Sequence, residues 1–389
     1  MLIRIYQNLS AYLKPNKVTI IYGPRRVGKT TLLQQFLSQT TLKYRLESGD
    51  DIAFQEQLGS QSISKIQQMA IGYDLIAIDE AQRIPDVGIG LKILVDHVPN
   101  IKIIATGSAS FDLSYKIGEP LVGRTTTLYL YPLSQLELSS QYTPHQLSSQ
   151  LEDCLIFGSY PETLTSPSRE QKAGYLNDIT NNYLLKDLLE LERVKGSKVI
   201  LDLLRLIAFQ IGGEVSLSEL GTQLGLDTKT VARYLDLLEK IFVLINLRGY
   251  SRNLRTEITR KSKYYFWDNG VRNAIISNFN PLNIRNDIGQ LWENFLVSER
   301  LKTQKYTSLF ANNYFWRTWQ QQEIDFVEER QGQLFGFEFK FQPPRHWSQP
   351  KLFSATYPNS SVKLITKENY LDFLNGGAAI KFGPATGTP

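Results

Sequence analysis

The chain has 389 residues, which is longer than one typical hydrophobic core and predicts two or three domains. Apolar residues make up 42% of the sequence and charged residues 21%, so the composition excludes a largely disordered chain. The single cysteine, Cys154, excludes an internal disulfide and a cysteine-based zinc site, and the three histidines lie far apart in the sequence. The net charge of +5 permits a nucleic-acid partner without requiring one.

The sequence carries no membrane signal. The N-terminus, Met1 to Tyr6, lacks the apolar segment of a signal peptide, and no run approaches the ~18 apolar residues of a membrane span. We therefore expect a cytoplasmic protein without a membrane partner.

The first motif in chain order is a phosphate-binding loop. Residues Gly23 to Thr30 match the pattern G-x-x-x-x-G-K-[ST] between an apolar run that predicts a strand and a run that predicts a helix. Backbone N–H groups of such a loop surround a phosphate chain, Lys29 reaches the β- and γ-phosphates, and the Thr30 hydroxyl ligates Mg²⁺. An ordinary strand-turn-helix corner is the alternative. The predicted nucleotide-binding residues are Gly23, Pro24, Arg25, Arg26, Val27, Gly28, Lys29, Thr30, Thr31 and Asp79.

Strand-like and helix-like runs alternate after the loop, which predicts a parallel α/β sheet with helices on both faces. The strand Leu75 to Ile78 ends in Asp79 and Glu80, the form of a Walker B motif. We expect Asp79 to hold Mg²⁺ through water and Glu80 to orient or deprotonate the attacking water. A solvated acidic turn is the alternative. No N-K-x-D string follows the loop, so ATP is preferred over GTP.

The middle of the chain predicts a helical lid over residues 135–208 and then a helix-turn-helix. Leu217 and Leu220 share the apolar face of its first helix, Gly225 breaks that helix, and Thr228 caps the next one. The second helix presents polar residues outward, where a recognition helix meets DNA. A plain packing module explains the same apolar stripe.

A basic stretch follows, at the place where a β-wing would lie, and basic side chains beside Tyr250 suit phosphate contacts. A solvated charged face is the alternative. The predicted DNA-binding residues are Thr228, Lys229, Thr230, Arg233, Arg248, Arg252, Arg255, Lys261 and Lys263.

A second chemical pattern lies beyond residue 284. Glu293 falls on a predicted helix, Asp325 and Glu338 on two adjacent predicted strands, and Lys340 two residues after Glu338. The three carboxylates can ligate Mg²⁺, and Lys340 on the same strand face can position the hydrolytic water. The set is similar to the core of PD-(D/E)XK nucleases. Many domains of that kind bind without cutting, which remains an alternative.

The chain as a whole resembles prokaryotic AAA+-like ATPases that carry a C-terminal domain known as DUF4143. The resemblance rests on the two ATPase motifs already described and on further segments: Ala105 to Ser108, Gly123-Arg124, Tyr131 to Ser134, Gly158 to Glu162, Tyr175 to Ile179 and the C-terminal acidic set. By similarity to AAA+-type ATPases, Ser108, with Thr106 second, is the candidate sensor of the γ-phosphate, and a simple strand-end turn is the alternative. Arg124, before a further predicted strand, is the candidate arginine finger toward a neighbouring subunit, and a surface arginine is the alternative. If Arg124 acts in trans, the chain forms a homo-oligomeric ring such as a hexamer.

The predicted fold class is α/β, with a P-loop AAA+-type parallel sheet, a helical lid, a winged helix and a nuclease-like α/β domain. The predicted boundaries are 1–134 for the ATPase core, 135–208 for the lid, 209–263 for the winged helix, 264–375 for the nuclease-like domain and 376–389 for a disordered tail. We expect an ATPase using ATP and Mg²⁺ that acts on DNA, with Mg²⁺-dependent deoxyribonuclease activity on branched or junction DNA as one candidate. A regulatory switch that binds a partner without cutting, and a small-molecule kinase, are the alternatives.

Overall fold

The computed structural model describes residues 2–108, 121–184, 197–250, 262–318, 320 and 322–375. Three of the predicted DNA-binding residues lie outside these ranges, namely Arg252, Arg255 and Lys261. The predicted tail at 376–389 lies outside them as well. The described residues form two β-sheets and the helices that pack on them.

The first sheet is parallel, with the strand order β2-β3-β4-β1-β5. Its strands are β1 (Lys17–Gly23), β2 (Tyr44–Ser48), β3 (Leu75–Asp79), β4 (Lys102–Ser108) and β5 (Thr125–Tyr129). Its helices are α1 (Lys29–Gln39), α2 (Ile52–Gly59), α3 (Ile63–Ala70) and α4 (Val87–His97). Alternate residues of β1 serve opposite faces, because Ile20 packs with α2 to α4 while Ile21 packs with α1. The predicted parallel α/β sheet, covered on both faces, is confirmed.

A helical region follows the first sheet. Its helices are α5 (Gln135–Leu138), α6 (Pro144–Phe157), α7 (Pro161–Thr165), α8 (Arg169–Asp178) and, beyond an undescribed gap, α9 (Ser197–Phe209). Helix α6 begins at a capping box, in which the side chains of Thr143 and Gln146 each accept the other's backbone N–H. Helices α6, α8 and α9 pack against a later helix, α12 (Asn269–Ile275). The role of this region as a lid stays a prediction.

The helix-turn-helix unit consists of two helices, α10 (Leu217–Leu224) and α11 (Thr228–Lys240). Gly225 ends α10 at φ 66°, a left-handed conformation that favours glycine. Helix α11 begins at Asp227, whose carboxylate accepts the backbone N–H of Thr230 at 2.9 Å. The prediction that Thr228 caps this helix is therefore wrong, because the carboxylate one residue earlier fills that role.

The second sheet joins the segment predicted as a winged helix to the C-terminal segment. Its strand order is β12-β11-β10-β9-β7-β8-β6. The strands are β6 (Glu214–Val215), β7 (Leu244–Gly249), β8 (Ser262–Phe266), β9 (Asn312–Arg317), β10 (Glu323–Arg330), β11 (Gln333–Phe339) and β12 (Ser360–Ile365). Strand β7 pairs in parallel with β9, where Arg248 lies opposite Tyr314. The boundary that we predicted between residues 263 and 264 falls inside β8, so the two segments share one sheet.

Among its described residues, the C-terminal half contains three further α-helices, α13 (Ile288–Thr307), α14 (Lys351–Thr356) and α15 (Tyr370–Asn375). Helix α13 has 20 residues, and its Trp292 and Leu296 are fully buried in the largest hydrophobic cluster. Within the described ranges, no helix combines the length and the apolar character needed to cross a membrane.

Candidate nucleotide site and acid cluster

The phosphate loop connects the end of β1 to the start of α1. Gly23 is required there, since a Cβ atom on it would lie 1.9 Å from the carbonyl oxygen of Leu130. Gly28 takes φ 96°, again a conformation that favours glycine. The buried Lys29 donates from Nζ to the carbonyl oxygens of Gly23 and Pro24, both at 2.9 Å. The lysine therefore lies across the loop whose phosphate contacts we predicted.

The acidic pair lies beside this loop at the carboxyl end of β3. The Thr30 hydroxyl donates to Asp79 Oδ2 at 2.9 Å, and the Thr106 hydroxyl donates to Asp79 Oδ1. Glu80 follows with φ 53°, and its backbone N–H donates to Thr106 Oγ1 at 3.1 Å. A hydroxyl and a carboxylate in contact are oxygen ligands of the kind that Mg²⁺ prefers, so Thr30 and Asp79 fit the magnesium site that we predicted.

A glutamine that the sequence reasoning missed connects the predicted catalytic glutamate to the predicted sensor. Gln82 Nε2 donates to Glu80 Oε2 at 2.5 Å and to Ser108 Oγ at 2.9 Å. Ser108 ends β4 directly opposite Gly23 of the phosphate loop. The spacing of Gln82 could have indicated this contact, because a glutamine two residues after the acidic pair stays within the same turn.

Arg124 lies at the amino-terminal end of the parallel strands, whereas the phosphate loop lies at their carboxyl end. It precedes β5, whose first residue pairs with Val18, whereas the phosphate loop follows Gly23 at the other end of β1. The two ends of β1 lie roughly 17 Å apart, because five residues of strand separate them. The guanidinium of Arg124 forms an ion pair with Asp96. Arg124 therefore lies too far away to serve the loop of its own chain, and a role toward a neighbouring subunit stays a prediction.

The predicted acidic set of the C-terminal half converges. Asp325 is 8% exposed, and one of its carboxylate oxygens accepts the backbone N–H of Phe339 at 2.7 Å. Burial, with further repulsion from Glu293 and Glu338, raises the pKa of Asp325 well above its ordinary value. Lys340 forms an ion pair with Glu338 at 2.9 Å. The side chains of Glu293, Asp325, Glu338 and Lys340 thus share one electrostatic environment. We call these four residues, together with Lys263 and Glu323, the acid cluster.

Lys263 was assigned to DNA contact, and that prediction is wrong. Its side chain is buried, with the residue 2% exposed, and Nζ lies 2.5 Å from Glu323 Oε1 and 3.4 Å from Glu293 Oε1. Burial alone would lower the pKa of Lys263, but the negative fields of its partners raise it above its ordinary value. The Tyr265 hydroxyl donates to the same Glu293 oxygen at 2.6 Å. Lys263 is thus the counter-ion of the acid cluster.

This counter-ion changes the expected magnesium chemistry. Among the residues that the structure describes, no three His, Cys, Asp or Glu side chains are arranged to hold a metal ion. The predicted ligands Glu293, Asp325 and Glu338 therefore do not fit a resident metal as they stand. An ammonium group supplies positive charge to this cluster instead.

The predicted DNA-facing residues of α11 are largely accessible. Thr228, Lys229 and Arg233 are exposed, as is Arg248 at the end of β7. Thr230 is partly buried and donates from its hydroxyl to the capping carboxylate at 2.7 Å. The helix therefore presents two cations and a hydroxyl to solvent.

The chain matches known families along most of its length. Residues 15–139 match the family described as AAA domain, and residues 288–377 match a domain of unknown function, DUF4143. The chain thus joins an AAA domain to a DUF4143 domain. Residues 148–282, which cover most of the predicted lid and the winged helix, match a further domain of unknown function, DUF8612. The AAA domain supports nucleotide binding and ATP hydrolysis.

The relatives are uncharacterized proteins of distant prokaryotes. One from Mycobacterium tuberculosis is 27% identical over 328 residues, covering 83% of this chain and 70% of the relative. One from Haemophilus influenzae is 24% identical over 394 residues, covering 94% and 92%. One from Methanocaldococcus jannaschii is 24% identical over 345 residues, covering 83% and 74%.

Two solved structures are similar to parts of this chain. One is Drosophila ORC bound to DNA, at 13% identity and a TM-score of 0.25, covering 70% of this chain and 92% of that one. The other is from work on katanin self-assembly, at 14% identity and a TM-score of 0.25, covering 62% and 84%. Scores this low carry no weight for fold or function.

Proposed function

We propose that this chain hydrolyses ATP and acts on DNA. The observation that carries the ATPase half is Asp79, whose two carboxylate oxygens accept the hydroxyls of Thr30 and Thr106. One hydroxyl comes from the phosphate loop and the other from the neighbouring strand β4. The loop, the acidic pair and the sensor strand therefore meet around one carboxylate.

The residues of the phosphate loop and of the acidic pair have distinct roles in the proposed hydrolysis. Lys29 exchanges its two carbonyl partners for the β- and γ-phosphates of ATP. Thr30 and Asp79 would hold Mg²⁺, which supplies positive charge at the phosphates. Glu80 orients the attacking water, and Gln82 keeps its carboxylate beside Ser108, the proposed γ-phosphate sensor.

The DNA half rests on α11 and on the basic residue after it. Lys229 and Arg233 are exposed on α11, the second helix of the helix-turn-helix, which is the position of a recognition helix. Arg248 is exposed at the end of β7, where the wing begins. Three accessible cations along one continuous segment suit a phosphate backbone.

A second candidate is a nucleotide-dependent switch whose C-terminal domain binds a partner without cutting. Lys263 favours it, because a buried ammonium between Glu293 and Glu323 supplies positive charge inside the acid cluster. In this candidate Asp325→Ala and Glu338→Ala leave the biological effect intact, whereas Lys29→Ala removes it.

One set of assays tests both halves. ATPase rates are measured with linear, single-stranded and branched DNA, and cleavage in Mg²⁺ is examined on gels of the same reactions. We expect Glu80→Gln to slow turnover at least about a hundredfold without changing ATP binding. The matched control is Glu56→Gln, an exposed glutamate on α2. Equal rates for Glu80→Gln and the wild type would refute the assigned role of Glu80.

The DNA contact has its own test. Lys229→Ala and Arg233→Ala should each weaken DNA binding and reduce its salt dependence by about one counterion. The matched control is Lys65→Ala, an exposed lysine on α3 of the AAA domain. If every DNA leaves the ATPase rate unchanged and these variants bind DNA normally, the DNA half of the proposal is wrong.

A further inference from the structure

Arg4 contacts three separate segments from a buried position behind the phosphate loop. The residue is 7% exposed. Its guanidinium donates to the carbonyl oxygens of Val27 and Tyr131, both at 2.6 Å, and to Glu137 Oε1 at 2.9 Å. A planar guanidinium with its donors in a fixed fork can hold three acceptors at once, which a lysine ammonium does with less defined geometry.

The bond to Val27 bears on the phosphate loop directly. The residues on either side of Val27 have positive φ angles, 64° at Arg26 and 96° at Gly28, so the loop turns sharply there. A trans peptide unit is planar, with its C=O and N–H groups pointing in opposite directions. Because Arg4 holds the Val27 carbonyl inward, the N–H of Gly28 points away from Arg4. That is how a phosphate-binding loop presents its donors.

The other contacts of Arg4 lead to helix α13. The backbone of Tyr131 connects Arg4 to this helix. Its carbonyl accepts a hydrogen bond from Arg4, and its N–H donates to the hydroxyl of Tyr306 on α13 at 3.1 Å. The segment is held a second time where the N–H of Gln135 donates to Glu299 Oε2 at 2.5 Å. Glu299 is itself buried and paired with Lys302 at 2.7 Å.

Helix α13 carries these contacts to the acid cluster. Tyr306 and Glu299 lie in its C-terminal half, and Glu293 lies in its N-terminal half. The 13 residues from Glu293 to Tyr306 span about 20 Å of one helix. A continuous route of hydrogen bonds and helix therefore joins the phosphate loop to the acid cluster.

We propose that Arg4 is a positioning residue that links the phosphate loop to helix α13, so that nucleotide occupancy alters the acid cluster. The proposal rests on the proposed nucleotide site. A nucleotide that rotates the Val27 peptide changes the hydrogen bond to Arg4, and Arg4 passes the change to the Tyr131 backbone. Helix α13 then responds through Tyr306 and Glu299.

Hydrogen–deuterium exchange of α13 peptides, with and without a non-hydrolysable ATP analogue, tests the link. In the wild type we expect the analogue to change exchange in α13. Arg4→Lys should weaken binding of the analogue about tenfold, because the bond to the Val27 carbonyl is lost or misdirected, and should abolish the α13 response at saturating analogue. The control is Arg205→Met, which removes an exposed arginine paired with Asp202.

Tyr306→Phe separates the link from the nucleotide site and from folding defects. It removes the hydroxyl that accepts the Tyr131 N–H and that also interacts with Arg4, and it leaves the Val27 carbonyl as an acceptor for Arg4. We expect normal binding of the analogue, a cooperative thermal transition and an α13 response reduced to the part that passes through Glu299. An α13 response of wild-type size in both Tyr306→Phe and Arg4→Lys would overturn the link, as would a wild type that binds the analogue without any response. A wild type that fails to bind the analogue would instead contradict the proposed ATPase.

Discussion

Replacing Lys263 by methionine tests whether this residue is the counter-ion of the acid cluster. Methionine keeps the aliphatic length of the side chain and removes the charge. The ammonium lies 2.5 Å from Glu323 and 3.4 Å from Glu293, and the lysine side chain is 3% exposed. Removing one partner of a buried ion pair costs about 3–5 kcal/mol. Glu323 keeps 28% of its side chain exposed, so we expect about 3 kcal/mol, the lower end of that range.

The loss of stability should depend on pH in a defined direction. Burial raises the pKa of Asp325 and of Glu293 above their ordinary values, while Lys263 lowers both. Without the lysine both pKa values rise further. A carboxyl group whose pKa is raised on folding adds stability below its unfolded pKa and loses it as the pH rises through the folded pKa. The variant should therefore be closest to the wild type near pH 5 and furthest from it near pH 8.

Urea unfolding, followed by tryptophan fluorescence, to which the buried Trp292 contributes, measures this difference at each pH without nucleotide. Lys240→Met serves as the control, because Lys240 pairs with the exposed Asp236 and should change the free energy of unfolding by less than about 0.5 kcal/mol. A loss below about 1 kcal/mol at every pH would refute the counter-ion role of Lys263.

Three further predictions concern other parts of the chain. Gln82→Ala should lower kcat for ATP about tenfold at unchanged ATP affinity, because Glu80 loses its amide donor; steady-state rates and binding titrations decide, and a normal kcat would contradict the role. Burial raises the pKa of Glu239 to about 7, so wild-type stability should fall as the pH rises through that value. Glu239→Gln should match the wild type in urea unfolding near pH 5 and exceed it near pH 8. Burial also raises the pKa of Cys154 to about 12, so a thiol reagent should react with it in denatured but not in native protein at neutral pH, and rapid native labelling would show the site to be open.

The nucleotide site could be predicted because its chemistry lies in short, continuous strings. The loop from Gly23 to Thr30 lies between one strand and one helix, and Asp79 ends a strand of the same parallel sheet. Parallel strands end at one edge, so sequence order alone brings these residues together. The approach of Asp325 to Glu338 in the acid cluster could be predicted for a similar reason, since β10 and β11 form one hairpin that carries both residues.

Arg4 and Lys263 could not be placed by such reasoning. The contact between Arg4 and Glu137 joins residues 133 positions apart, and nothing in the first six residues indicates a partner. Lys263 belongs to a run of basic residues, and runs of that kind usually lie in solvent. Its burial results from the pairing of β7 with β9, which joins two segments that we had assigned to separate domains. Such contacts depend on long-range strand pairing, which cannot be predicted from local composition.

Because β6 to β8 and β9 to β12 form one sheet, strand pairing connects the segment that carries the proposed DNA surface to the acid cluster. Strand β8 pairs with β7, and β7 begins shortly after the proposed recognition helix α11. Lys263 lies on β8, yet its ion pairs are with Glu293 on α13 and Glu323 on β10. DNA that displaced β8 would separate this ammonium from its carboxylates, and the same carboxylates respond to nucleotide if Arg4 acts as proposed. The acid cluster is thus where a DNA signal through β8 and an ATP signal through α13 would meet, and Lys263→Met should make it insensitive to the first signal while leaving the second intact.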